Sequence, residues 1–307
     1  MTAEFEFCLL VEAGVLERQA LLLCESIRHF AGPYADMPLT VISPRPSRRP
    51  AASTVQRLLQ FGANYVPLNL KSQTPEYGPS YKTLALGWRA RQSGPDILVQ
   101  LDSDTIFLDA PDLALNGHVA IARPVDVKGM CSAGPSDSFE PIWQRMCNIC
   151  GVDIETLGYV TSTVDKLTLR ANFNGGLVVA RRHVFNVAEE CFLSIVADDI
   201  HPFADIDSGM KSGSGPVSPA GRKSWGLTQA ALSLAVAKLG GTVGQMDGGT
   251  NIPMHLLERI EPPPTRVTHL HYHWIFAGDN DNNPVFNGRL ALRPDQAGWL
   301  RAHLPLK

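Results

Sequence analysis

No apolar stretch in this 307-residue chain approaches the ~20 residues that a membrane-crossing helix requires, so no transmembrane segment is expected. Positive charge is not in excess either. Lys and Arg total 27 against 30 Asp and Glu, a formal net charge of −3, which excludes the overall basic field that recruits nucleic acid or an anionic membrane. Met1 to Glu6 lack the basic start and apolar centre of a signal peptide. The expected location is therefore cytoplasmic, with peripheral attachment at the inner face of a membrane left open. Neither G-x-G-x-x-G nor G-x-x-x-x-G-K-[ST] opens any helix, so a nucleotide, if bound, is held without a dinucleotide fingerprint or a P-loop. Cysteines are six, and only Cys147 and Cys150 form a C-x-x-C pair. No second pair stands near for zinc, and a thioredoxin-type site would need an early strand before it and a helix after it, so neither zinc binding nor redox chemistry is expected there. Cys8 and Cys24 lie in apolar segments and read as small buried hydrophobes.

What is present is a regular alternation of apolar strands and amphipathic helices. Phe5 to Val11 reads as a strand, Leu16 to Phe30 as a helix with Leu16, Ala20, Leu23, Ile27 and Phe30 on one stripe, and Leu39 to Ile42 as a second strand. Thr54 to Gly62 and Asn64 to Leu68 continue as helix and strand. Such alternation predicts a parallel α/β sheet with right-handed crossovers. The arginines of the proline-rich loop Pro44 to Pro50, Arg45, Arg48 and Arg49, are expected to form a solvated turn. Ser80 is the expected N-cap of a helix over Thr83 to Gln92, with Lys82 in its first turn, where a cation opposes the helix dipole and suits a facing phosphate.

The segment Asp96 to Leu108 carries the strongest signal. An apolar run from Ile97 to Leu101 ends in Asp102-Ser103-Asp104, and a second apolar run, Ile106 to Leu108, follows. This reads as a strand buried on both faces. Positions i and i+2 of an extended chain share a side, so Asp102 and Asp104 converge, as a hard divalent cation requires. Turn capping by the two aspartates is the alternative. Further on, residues 126–170 read as irregular around a helix at Pro141 to Cys150. Asn172 to Ala180 reads as a strand whose Gly175-Gly176 pair permits close backbone approach. Val184 to Ala197 and Thr228 to Leu239 read as helices, and Asp207 to Lys223 as a mobile loop, a possible lid. Val267 to Phe276 reads as a strand with His269, His271 and His273 on one face.

Taken together, these landmarks resemble nucleotide-sugar-dependent glycosyltransferases of the GT-A fold, the glycogenin-like and bacterial lipopolysaccharide galactosyl- and glucosyltransferase type. The resemblance rests on the first strand and helix, the strand ending in Asp102-Ser103-Asp104, the segment Phe173-Asn174-Gly175-Gly176-Leu177-Val178-Val179, which looks like that family's F-N-x-G strand, and the late His271-Tyr272. It implies a GT-A (Rossmann-like) α/β fold with a mixed, mainly parallel sheet flanked by helices. The single domain 1–307 would divide into a nucleotide-binding half, 1–125, and an acceptor-side half, 126–307, containing the loop 205–224. It further implies a hexosyltransferase in which Mn2+ or Mg2+ is held by Asp102, Asp104 and His271. The donor, UDP- or GDP-linked, would meet Lys82, Asp102, Ser103, Asp104, Asn174, Gly175 and Gly176. Asp104 and Gln229 would carry the catalytic role, and the acceptor would be a hydroxyl of unspecified identity.

Two departures from that family stand out. Thr228-Gln229 occupies the place of its Asp-Gln pair, and its Lys-Pro-Trp after the histidine is missing. A base for inversion would have to come from carboxylates such as Asp205, Asp207 or Asp247. Competing readings are a sugar nucleotidyltransferase, against which stands the absence of a Gly-, Arg- and Lys-rich loop at Val11 to Leu16, and a catalytically silent GT-A-like carbohydrate- or nucleotide-binding protein.

Overall fold

The structure, a computed structural model, describes residues 5–203, 211–212, 215–277 and 283–305. In chain order its first half contains β1 (Phe5–Leu10), α1 (Val15–Phe30), β2 (Leu39–Ser43), α2 (Ala52–Gln60), β3 (Ala63–Pro67), α3 (Pro79–Ala90), β4 (Ile97–Leu101), β5 (Thr105–Phe107) and β6 (Ala120–Pro124). There follow α4 (Glu140–Cys150), β7 (Tyr159–Thr161), β8 (Thr168–Arg170), β9 (Phe173–Arg181), α5 (Arg182–Ala197), β10 (Lys211–Ser212), β11 (Gly215–Pro216), α6 (Pro219–Lys223), α7 (Leu227–Lys238), β12 (Val243–Gln245), β13 (Ile252–Pro253), β14 (His269–His271) and α8 (Pro294–His303).

The main sheet has seven strands in the order β12-β6-β9-β4-β1-β2-β3. All neighbours run parallel except β9, which is antiparallel to both β4 and β6. This is the expected mixed, mainly parallel sheet flanked by helices. Its central strands are continuous apolar runs because helices cover both faces: β2 and β4 are buried at every position. Helix α1 seats its Ala20, Leu23, Ile27 and Phe30 stripe in the largest core cluster, beside Phe7, Val99 and Phe107. A second cluster gathers Trp143, Met146, Cys147, Cys150, Cys191 and Phe192 between α4, α5 and α7. The C-x-x-C pair packs in this core.

The reversed direction of β9 positions the site. In open α/β sheets ligands settle beyond the carboxyl ends of the strands. Because β9 is antiparallel, its amino end lies there, and Leu177 pairs with Leu101. The Asp102 amide then donates to the Gly176 carbonyl at 2.9 Å, so Asn174-Gly175-Gly176 and Asp102-Ser103-Asp104 become neighbours.

Several expectations need correction. The segment 96–108 is not one strand. The chain leaves the main sheet after Leu101, turns through Asp102 to Asp104, and enters a smaller sheet of order β13-β14-β5. Ser80 does not cap α3. Gly78 holds the cap position, and the Ser80 hydroxyl is 2.8 Å from that of Ser72. The strand expected over Val267 to Phe276 spans only His269 to His271, because His273 turns into the left-handed region at φ 53°. Asp205 and Asp207 lie outside the described residues, as does much of the loop 205–224.

Candidate active site

At the carboxyl edge of the sheet opens a cleft of about 810 Å3, bordered by the ends of β1, β2 and β4, the start of α3 and α7, and the turn after β14. Lys82, Asp102, Ser103, Asp104, Asn174, Gly175, Gln229 and His271 all line it. His271 is carried there by strand pairing. β14 runs antiparallel to β5 with His271 opposite Thr105, and the Tyr272 amide donates to the Asp104 carbonyl at 3.0 Å. The Nε2 of His271 consequently stands 3.6 Å from Asp104 Oδ1 and 3.9 Å from Asp102 Oδ2.

Electrostatics couples these groups. Burial acts to raise the Asp104 carboxyl, yet the His271 imidazole outweighs it and holds the carboxyl well below its ordinary range. Burial acts to lower His271, but the Asp104 and Asp102 carboxylates reverse the direction and raise it. His273 stacks on His271 with ring centroids 3.9 Å apart. It is held neutral, far below its usual value, by burial and by His271 beside it. Asp104, His271 and His273 each offer a ligand atom, and these atoms lie within 4.8 Å of one another. Among the described residues no other group of His, Cys, Asp or Glu does this.

Lys82 reaches from the first turn of α3, ion-pairs with Asp102, and donates to the Gly175 carbonyl at 3.0 Å. Ser103 turns inward and donates to the Leu10 carbonyl, tying the acidic turn to β1. Asn174 is also spent internally. Its Nδ2 donates to Asp126 at 2.8 Å, and its Oδ1 accepts from the Gly176 amide at 2.8 Å. Gly175 and Gly176 lack side chains for a reason. A methyl on Gly176 would stand 2.5 Å from His271 Nδ1, and one on Gly175 would stand 3.2 Å from Lys82 Nζ and 3.9 Å from Gln229 Cγ. Asp247 caps a turn, accepting from the Gly249 amide at 2.9 Å and the Thr250 hydroxyl at 2.8 Å, and does not border the cleft.

The expected solvated turn at Arg45 is overturned. Its guanidinium ion-pairs with Glu12, which is 3% exposed, and covers the Tyr81 ring at 4.3 Å. A carboxylate buried at the end of β1 demands a counter-charge, and the loop after β2 supplies it. Arg48 also borders the cleft, 3.6 Å from Glu12. Arg49 instead donates to the carbonyls of Ser43 and Leu68. Sequence reasoning likewise left His273 without a role and did not single out Tyr77, His255 or Asn251. The Tyr77 hydroxyl lies 3.1 Å from that of Thr228, the residue in place of the resembling family's aspartate, and burial pushes it up to about 12. The only sequence signal for His273 was its spacing from His271.

A family model described as a Rhodobacterales glycosyltransferase domain matches residues 7–240. The chain belongs to this glycosyltransferase family. No curated protein matches the sequence. Among solved structures, this glycosyltransferase is similar to an active-site mutant of LgtC, at 12% identity over 97% of this chain and 96% of that one, with a TM-score of 0.49. It is also similar to core-mannan synthase A (CmsA/Ktr4) of Aspergillus fumigatus in an Mn/GDP form, at 7% identity, 79% and 72% coverage and a TM-score of 0.48. The bifunctional glycosyltransferase WbbM matches at 9% identity over 99% of this chain and 52% of its own, with a TM-score of 0.49. No helix among the described residues of the glycosyltransferase is long and apolar enough to cross a membrane.

Proposed function

We propose that this glycosyltransferase is metal-dependent and moves a sugar from a nucleoside diphosphate donor to an acceptor hydroxyl. One observation carries the reading: two carboxylates and two imidazoles from two separate chain segments converge at the wall of a cleft large enough for a nucleotide sugar.

The donor set suits a divalent cation. Asp104, His271 and His273, with Asp102 alongside, mix oxygen and nitrogen donors. Two imidazoles favour Mn2+ over Mg2+, which prefers oxygen ligands and retained water. When bound, the ion supplies positive charge against the negative charge that develops on a departing diphosphate. The protein's own part is positioning. The Lys82 ammonium is held by Asp102 and the Gly175 carbonyl, so it presents a fixed cation beside the acidic turn. Arg45 and Arg48 add positive charge farther along the cleft. Gln229, in the first turn of α7 beside Gly175, offers an amide toward the sugar. Asn174 acts here as a brace for Gly176.

Thermal unfolding with UDP or GDP, each with and without Mn2+, tests the reading. A ligand that binds only the folded state raises stability by mass action, about 2.7 kcal/mol at a hundredfold excess over Kd. The expected result is a rise in melting temperature that requires nucleotide and metal together. A larger response to nucleoside triphosphates would favour nucleotidyl transfer, and no response to any nucleotide would favour a silent binding protein.

Lys82 provides a second test. In Lys82→Met the apolar stem remains and the charge is lost, so the donor KM is expected to rise roughly tenfold, the equivalent of one charged hydrogen bond. An unchanged donor KM would remove Lys82 from the donor site.

A further inference from the structure

Two buried polar atoms beside the acidic turn have no hydrogen-bond partner: Nδ1 of His271 and Oδ1 of Asn251. Asn251 is fully buried and His271 is 6% exposed. Both atoms crowd one point, since a methyl on Gly176 would meet His271 Nδ1 at 2.5 Å and Asn251 Oδ1 at 2.6 Å. Unpaired buried polar atoms are costly, and here a potential donor and an acceptor share one small space.

Which end of the Asn251 amide faces the imidazole is fixed by a chain of partners. The Arg123 guanidinium donates to Asp126 Oδ1 at 3.3 Å, and Asp126 Oδ2 takes a hydrogen from Asn174 Nδ2 at 2.8 Å. A carboxylate accepts only, so the Asn174 amino group points to it, and the Asn174 oxygen points to Gly176, whose amide donates at 2.8 Å. The Asn251 atom 3.1 Å from that same oxygen must then be its amino group. Its oxygen is left turned toward His271.

We infer that Asn251 is a positioning residue: its side-chain oxygen accepts the Nδ1–H of His271, directly or through one water, and leaves the Nε2 lone pair aimed at the space between Asp102 and Asp104. The inference rests on the metal-dependent reading above, in which that lone pair is a ligand. A ligating imidazole generally donates its other nitrogen to a fixed acceptor, which sets tautomer and ring angle. The competing account is that Asn251 serves the backbone alone. Its φ of 56° is left-handed, a conformation that Asn and Gly adopt more readily than other residues. That account requires only Asn or Gly at the position and is indifferent to the side-chain oxygen.

The two accounts separate in 15N-histidine NMR of the metal-free protein at alkaline pH, with His271 assigned by its absence from His271→Gln. Mn2+ affinity is measured by electron paramagnetic resonance on the same proteins. The wild type is expected to carry its proton on Nδ1. In Asn251→Gly, which keeps the left-handed backbone, the proton is expected to redistribute to Nε2 and Mn2+ affinity to fall roughly 10- to 100-fold. Asn251→Asp keeps an oxygen toward His271, though it exchanges the amino donor facing Asn174 Oδ1 for a charged carboxylate oxygen, and is expected to retain the Nδ1–H tautomer. A wild-type His271 protonated on Nε2 overturns the inference without any variant. So does an Asn251→Gly protein with unchanged tautomer and affinity. The predicted tautomers with no Mn2+ binding even by the wild type would leave the positioning role standing and remove the metal reading.

Discussion

In Asp104→Asn the metal-dependent rise in melting temperature with nucleotide is expected to vanish, and kcat/KM to fall roughly a thousandfold, the rate equivalent of about 4 kcal/mol. The substitution is isosteric and removes only charge and one oxygen donor. It leaves the strand pairing that builds the site intact, because Tyr272 hydrogen-bonds to the backbone carbonyl of Asp104 and not to its carboxylate. The effect is therefore chemical and not a loss of fold, which circular dichroism of the metal-free variant checks. Asp104 is the carboxylate nearer to His271, 7% exposed, and belongs to the cluster with His273. Asp102 is more exposed and already committed to Lys82, so Asp102→Asn is expected to lose less. A fully active Asp104→Asn enzyme would refute the metal assignment.

Gly176→Ala is the second large expectation. The added methyl would stand 2.5 Å from His271 Nδ1, 2.6 Å from Asn251 Oδ1 and 2.9 Å from His271 Cε1. Neither neighbour is a flexible chain end: both are buried, and Asn251 is held by Asn174. The imidazole must swing away from the carboxylates, or β9 must separate from β4. Overpacking of this kind costs about 1–3 kcal/mol of stability. Displacing a ligand outright should cost Mn2+ affinity at least the roughly hundredfold that loss of an outer partner can. The adjacent Gly175→Ala is the control. Its methyl meets the end of the Lys82 side chain at 3.2 Å and Gln100 Nε2 at 3.5 Å, contacts that small movements relieve. Metal titration of both variants checks the contrast. Equal, near-native Mn2+ affinity in the two would show that the Gly176 contact does not set the His271 position.

Much of this was legible in the chain because local physics wrote it there. The apolar run Ile97 to Leu101 forms a buried strand, and two aspartates one residue apart at its carboxyl end were bound to emerge at the ligand-binding edge. The stripe of α1 and the glycine pair before the apolar run of β9 were equally plain. His271 was flagged by its place in a cluster of three alternating histidines, but the cluster itself divides. His269 is fully buried against Phe107, with ring centroids 4.6 Å apart, and burial drives its pKa far down. His273 reaches the site only because the chain breaks out of the strand after His271. Alternation placed the three side chains correctly for a strand that does not extend that far.

The arginine loop shows the same limit from the other side. Proline spacing alone argued for solvent, whereas the partner that draws Arg45 in is Glu12, in the segment just after β1. Periodicity, apolar runs and the acidic pair were sufficient by themselves for the fold class and for the edge of the sheet where chemistry would occur, because each depends on neighbours in sequence. Which imidazole meets which carboxylate, which arginine is held inward and which asparagine stands behind His271 were decided only in three dimensions. Those contacts join residues far apart in the chain, 33 positions for Arg45 and Glu12 and well over a hundred for His271 and Asp104, the latter through the short pairing of β14 with β5, and no local spacing encodes the register of such pairs.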